Sequence, residues 1–137
     1  MSRSRSIQVA SPNYADLPSP APPQGIWFGN YCFTEPEILP CFVPVCNSGV
    51  YAILVRDPTC YPRMMRAIYF GESGNISAHL TPWHEKYPSW CNVAGGAINL
   101  HVAFLPMESS ADEERIAILS ALVAQYQLEC NAPVEPL

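Results

Sequence analysis

Gly49-Val50-Tyr51-Ala52-Ile53-Leu54-Val55-Arg56, followed after a turn by Arg66-Ala67-Ile68-Tyr69-Phe70-Gly71, is the stretch that decides the fold. Both segments are short, apolar and partly β-branched or aromatic. Turn formers bound them: Asn47-Ser48 before the first, Asp57-Pro58 between, and Glu72-Ser73-Gly74-Asn75 after the second. Each therefore predicts a strand. Consecutive strands with so short a connection pair antiparallel, because a parallel pair needs a long crossover. A β-hairpin is the expected centre of the domain.

Downstream, Asn75-Ile76-Ser77-Ala78-His79-Leu80 predicts about two helical turns, stopped by Pro82. Residues 83–90 predict another turn or two limited by Pro88, and Gly95-Gly96 is a break. Ala97 to Leu105 alternates well enough for a third strand. Ser109-Ser110-Ala111-Asp112-Glu113 then offers a cap and first-turn acids, which favour the positive end of a helix dipole. Ile116, Leu119, Leu122, Val123 and Tyr126 follow at spacings of three and four, predicting an apolar helical face from about 110 to about 127. The order β-β-α-β-α gives an α/β (α+β) domain: a small three-stranded mixed or antiparallel sheet flanked by helices.

Upstream the pattern changes. Residues 1–25 crowd Pro12, Pro18, Pro20, Pro22 and Pro23 among Ser, Ala, Asn and Gln and read as a disordered arm. Residues 26–47 mix Trp27, Phe28, Tyr31, Phe33 and Phe42 with prolines in neither helical nor strand period, which predicts an irregular segment packed on the domain. The domain proper spans 48–131, and 132–137 form a tail. At 137 residues and 49% hydrophobic content, one core is expected.

Charge narrows the partners. Without the arm, five of the seven Lys/Arg remain against eleven of the twelve Asp/Glu. A protein that binds DNA unaided neutralises several phosphates, so this acidic body predicts only weak autonomous DNA binding. A protein partner is the other expectation, through the aromatic segment from Trp27 to Phe42. The six cysteines show neither a CxxC pair nor zinc-ribbon spacing. The basic start lacks an apolar signal region, and no apolar run reaches the roughly 20 residues of a membrane span. The reading is a cytoplasmic protein with reduced thiols and no membrane partner.

The two strands carry Gly49-Val50-Tyr51 and Tyr69-Phe70-Gly71, with tyrosines 18 residues apart. Gly74-Asn75-Ile76, His84 and a closing Leu122-Val123-Ala124-Gln125-Tyr126 before Cys130-Asn131 complete the series. This series resembles the signature of the GIY-YIG nuclease superfamily, over about Gly49 to Asn131. The resemblance implies phosphodiester hydrolysis with one divalent ion, Mg²⁺ or Mn²⁺, held by a glutamate of the long helix, and tyrosines and an arginine around the phosphate. Such chemistry needs a carboxylate for the metal, a group to activate water and a cation for the developing charge.

Carried over by position, Tyr51 and Tyr69 match the motif tyrosines, as general base and as phosphate or water contact. Asn131 matches the terminal asparagine. The arginine position falls at His79, which lacks the bidentate fork of Arg and is charged only part of the time. The metal-binding glutamate position falls at Leu119, which binds no metal. Glu113 and Glu114 are badly phased to replace it. Glu72, with His79 and His84, is the alternative metal or acid/base set.

Taken singly, each residue also has a structural reading: strand tyrosines pack, histidines line short helices, and Gly71 and Gly74 serve turns. The expected function is a GIY-YIG-like domain with impaired hydrolysis, kept as a nucleic-acid-associated or interaction module. The rivals are an active divergent endonuclease using Tyr51, Tyr69, His79, His84 and Glu72, and a protein-protein interaction scaffold.

Overall fold

The computed structural model describes residues 25–131. The expected C-terminal tail, and the expected arm up to residue 24, lie outside the described residues. In chain order the elements are β1 (Ile26–Phe28), β2 (Tyr31–Phe33), β3 (Glu37–Ile38), β4 (Gly49–Arg56), β5 (Met65–Ser73), α1 (Ile76–His79), α2 (Tyr87–Ala94), β6 (His101–Pro106) and α3 (Asp112–Gln125). Short 3-10 turns occupy Leu39–Cys41 and Ala97–Asn99.

The mixed α+β class read from the sequence holds. Among the described residues its sheet has four strands, however, in the order β3-β6-β4-β5, and each pairing is antiparallel. The additional edge strand and a separate hairpin, β1 with β2, come from residues 26–47, which the sequence reading left irregular. Two or three residues per strand are too few to show a period of two.

Side chains alternate across a strand, so the sheet has two distinct faces. Val50, Ala52, Leu54 and Phe70 face Leu122 of α3 and Ile26, Phe28 and Phe33 of the hairpin. Tyr51, Ile53, Val55 and Ile68 face Ile76 of α1 and Trp90 of α2. Between β4 and β5 the register pairs Ile53 with Tyr69 but Leu54 with Ala67, so Ile68 is the extra residue of a β-bulge. The bulge leaves Ile68 and Tyr69 both packed on the α2 side.

Helix ends depart from expectation for identifiable reasons. Helix α1 is one turn long, its first N–H (Ile76) held by the Asn47 carbonyl at 2.6 Å. Helix α2 starts at Tyr87, with Pro88 in its first turn. There the missing N–H costs no intrahelical bond, so Pro88 opens this helix where the sequence reading had it close one. It ends at Gly95, whose φ of 81° gives the left-handed cap, and the 3-10 turn that follows delays the last strand to His101.

In α3 the Glu114 carboxylate accepts the Ala111 N–H at 2.8 Å, satisfying a helix-start donor. Its buried face consists of Arg115, Ile118, Leu119, Leu122 and Val123; the expected Ile116 is exposed.

Candidate functional site

Tyr51 lies in an inner strand of the sheet, β4, and is completely buried. Directly opposite on β5 is Gly71. A Cβ at Gly71 would overlap the Tyr51 ring at Cζ and Oη, so the glycine makes the room the phenol occupies. The tyrosine of the first tripeptide and the glycine of the second are thus one packing unit.

The Tyr51 hydroxyl meets two imidazoles. His84, in the loop before α2, has Nε2 2.9 Å from Oη, and His79, at the end of α1, has Nε2 3.1 Å from it. The Lys86 backbone N–H donates to His84 Nδ1 at 3.0 Å. A ring nitrogen that accepts an N–H carries no proton of its own, so neutral His84 is protonated at Nε2 and donates to Tyr51. The Tyr51 hydroxyl is also within hydrogen-bond distance of His79 Nε2, so the three groups form a hydrogen-bonded chain, His84–Tyr51–His79.

Burial sets the protonation states. His84 is pushed down to about 4, chiefly by loss of water and secondarily by the neighbouring His79, so it is neutral near pH 7. The Tyr51 phenol is driven far above its ordinary value, first by burial and then by Tyr69 and Glu72. Burial also raises Tyr69. Tyr51 therefore keeps its proton at neutral pH.

Aromatic rings close the cluster from beneath. Tyr69 has its ring centroid 6.0 Å from Tyr51 and 5.7 Å from His84, and the Trp90 ring lies 4.6 Å from His84 at a tilt of 39°. A shallow depression of about 340 Å³ opens above Tyr69, His79 and His84, bordered by Thr81, Glu85 and the 91% exposed Trp83. Four of the residues singled out from the sequence, Tyr51, Tyr69, His79 and His84, are brought together here.

Glu72 is not brought to them. It pairs with Val50, one step from the Tyr51–Gly71 pair, and so faces α3 on the other side of the sheet. There its Oε1 accepts from Arg115 Nε at 2.8 Å. Arg115 is 3% exposed and also donates to Ser110 O at 2.7 Å and to Asp112. Asn131 binds backbone instead of facing the cluster. Its Oδ1 accepts the Phe70 N–H at 2.7 Å and its Nδ2 donates to the Phe70 carbonyl at 3.0 Å. Among the described residues β5 is an edge strand, and Asn131 bonds its outer side as a further strand would. Leu119 packs against the core.

No protein-family model matches this chain, and no curated protein or solved structure is significantly similar to it.

These donors do not suit a divalent ion. Among the described residues no three His, Cys, Asp or Glu side chains are close enough to hold one. A histidine that ligates through Nε2 normally gives its Nδ1 proton to an acceptor. His84 Nδ1 instead receives the Lys86 N–H, the opposite polarity. The arrangement can pass a proton along hydrogen bonds but supplies no Lewis acid and no fixed cation.

Two residues were missed. Arg115 is the single cation within the apolar spacing of α3, seven residues before Leu122, and that position was the available signal. Trp90 follows Pro88 by two, and only a helix starting at Tyr87 turns it inward.

Proposed function

We propose that the chain is a GIY-YIG-like domain that has lost metal-dependent phosphodiester hydrolysis and serves as an interaction module. The observation that carries this reading is the separation of its parts. Tyr51 and Tyr69 share a cluster with His79 and His84, while Glu72 is on the far side of the sheet, in an ion pair with Arg115. At the glutamate position stands Leu119, packed in the core. A phosphate in the cluster would meet neutral or weakly basic groups in place of a metal and a guanidinium, and losing one such stabilising contact typically costs ~10²–10³ in rate.

The cations favour a protein partner over duplex DNA. Arg63 pairs with Glu35, Arg66 with Asp57 and Glu129, and Arg115 with Glu72 and Asp112. Among the described residues only Arg56 and Lys86 have no carboxylate partner, too few for the several phosphate contacts that non-specific binding needs.

The test is cleavage of plasmid and branched DNA with Mg²⁺ or Mn²⁺ added. The expected result is no turnover above the protein-free control. Clear metal-dependent turnover that disappears in Tyr69→Phe would overturn the reading in favour of a divergent endonuclease.

A further inference from the structure

On the hairpin side of the domain, away from the histidine cluster, is an apolar groove of about 610 Å³. Its walls are Ile26, Trp27, Phe28, Tyr61, Met65 and Tyr126. Trp27 and Tyr61, both in the lining, leave 65% and 80% of their surface exposed, an unusual cost for two large aromatics on one groove.

We infer that this groove is a docking site for the chain's own proline-rich segment, residues 18–23, Pro-Ser-Pro-Ala-Pro-Pro. The place where the chain leaves the described structure supports this occupant. Gly25 is itself part of the groove lining. Its carbonyl accepts from Arg63 Nη1 at 3.0 Å and its N–H donates to Glu35 Oε1 at 3.1 Å, while Arg63 and Glu35 pair with each other. The exit point is clamped on the lip of the groove, and a single residue, Gln24, separates it from Pro23.

The chemistry matches on both sides. Prolines have no N–H, so such a segment presents carbonyl acceptors and ring faces, and it favours the extended polyproline conformation at little entropic cost. The groove offers flat aromatic faces together with donors: the Trp27 indole N–H, the Tyr61 hydroxyl and the Gln127 amide. Aromatic-lined grooves capture proline-rich segments in this way. Six residues at ~3.1 Å each extend roughly 19 Å, enough to cross a groove of this size. So short a tether gives an effective concentration in the mM range, so even a weak intrinsic contact is populated within one molecule.

The experiment compares the full chain with a full-length variant carrying Pro18→Ser, Pro20→Ser, Pro22→Ser and Pro23→Ser, by NMR. The expected result is that the Trp27 indole N–H and Met65 methyl resonances shift between the two, with no dependence on protein concentration, while the buried Trp90 indole stays in place as the folding control. In the unmodified chain the amides of Ser19 and Ala21 should be as ordered as those of β1, and Trp27→Ala should release them. Unchanged Trp27 and Met65 resonances, or mobile Ser19 and Ala21 amides, overturn the proposal. Shifts that grow with protein concentration overturn it too, since they assign the groove to the arm of a second copy.

Discussion

Arg115 on α3 and Glu72 on β5 form an ion pair at 2.8 Å whose guanidinium is almost wholly buried. A charge taken out of water is tolerable only while its partners remain, and each carboxylate and carbonyl around Arg115 answers one edge of the guanidinium.

Removing Arg115 takes the common donor from Glu72, Asp112 and the Ser110 carbonyl at once, whereas neutralising Glu72 leaves Arg115 its other partners, so the first change is the more damaging. Arg115→Met should cost ~3 kcal/mol, the lower end for breaking a buried pair, because Glu72 keeps some contact with water. Glu72→Gln keeps an acceptor for Nε and should cost ~1 kcal/mol. Urea unfolding measures both, and equal midpoints for Arg115→Met and the unmodified chain would show that the pair contributes nothing.

Gly71→Ala should destabilise by ~1–3 kcal/mol, the usual range for forcing a methyl into a filled space. The added carbon meets the Tyr51 ring, so the effect should shrink when Tyr51 is also replaced by Leu. A double-mutant cycle by thermal unfolding gives the coupling. Additive losses would mean that the glycine is required for some other reason.

The fold should weaken as pH falls through the interval between 6.5 and about 4. His84 has its folded value depressed to about 4, so the unfolded chain binds that proton first. The stabilisation is complete above the unfolded value near 6.5 and is lost progressively towards the folded one. Its full size is up to about 3 kcal/mol, since each tenfold difference in proton affinity between the two states is worth roughly 1.4 kcal/mol. Carboxylates titrate in part of the same range, so the readout is the difference between the unmodified chain and His84→Asn. The variant should have the flatter profile over this interval, and identical profiles would rule the effect out.

The two long strands and the last helix were legible in the sequence because each carries a period over enough residues to be counted. Helix α2 was not, since a proline stops a helix in its interior and opens one in its first turn, and only the observed start at Tyr87 distinguishes the two. The strands of residues 26–47 escaped because they are at most three residues long, and the last of them is held by partners remote in the chain: Glu37 by Val102, and Ile38 by His101.

The site was legible in its aromatic half. Tyr51, Tyr69, His79 and His84 were named from the resemblance, and their side chains do meet. Asn131 was named as well, yet its amide is engaged with the Phe70 backbone. Glu72 was one residue from the right face, and in a strand one residue is the whole difference.

Composition and periodicity by themselves determined an acidic body, a β-hairpin carrying two tyrosines and a closing helix, because those depend on residues close in sequence. Tertiary structure alone decided which groups share a face. The sheet puts Tyr51 towards the histidines and Glu72 towards Arg115, and the bulge at Ile68 keeps Tyr69 with the former. Such assignments depend on register and on helices distant along the chain, which no local pattern encodes.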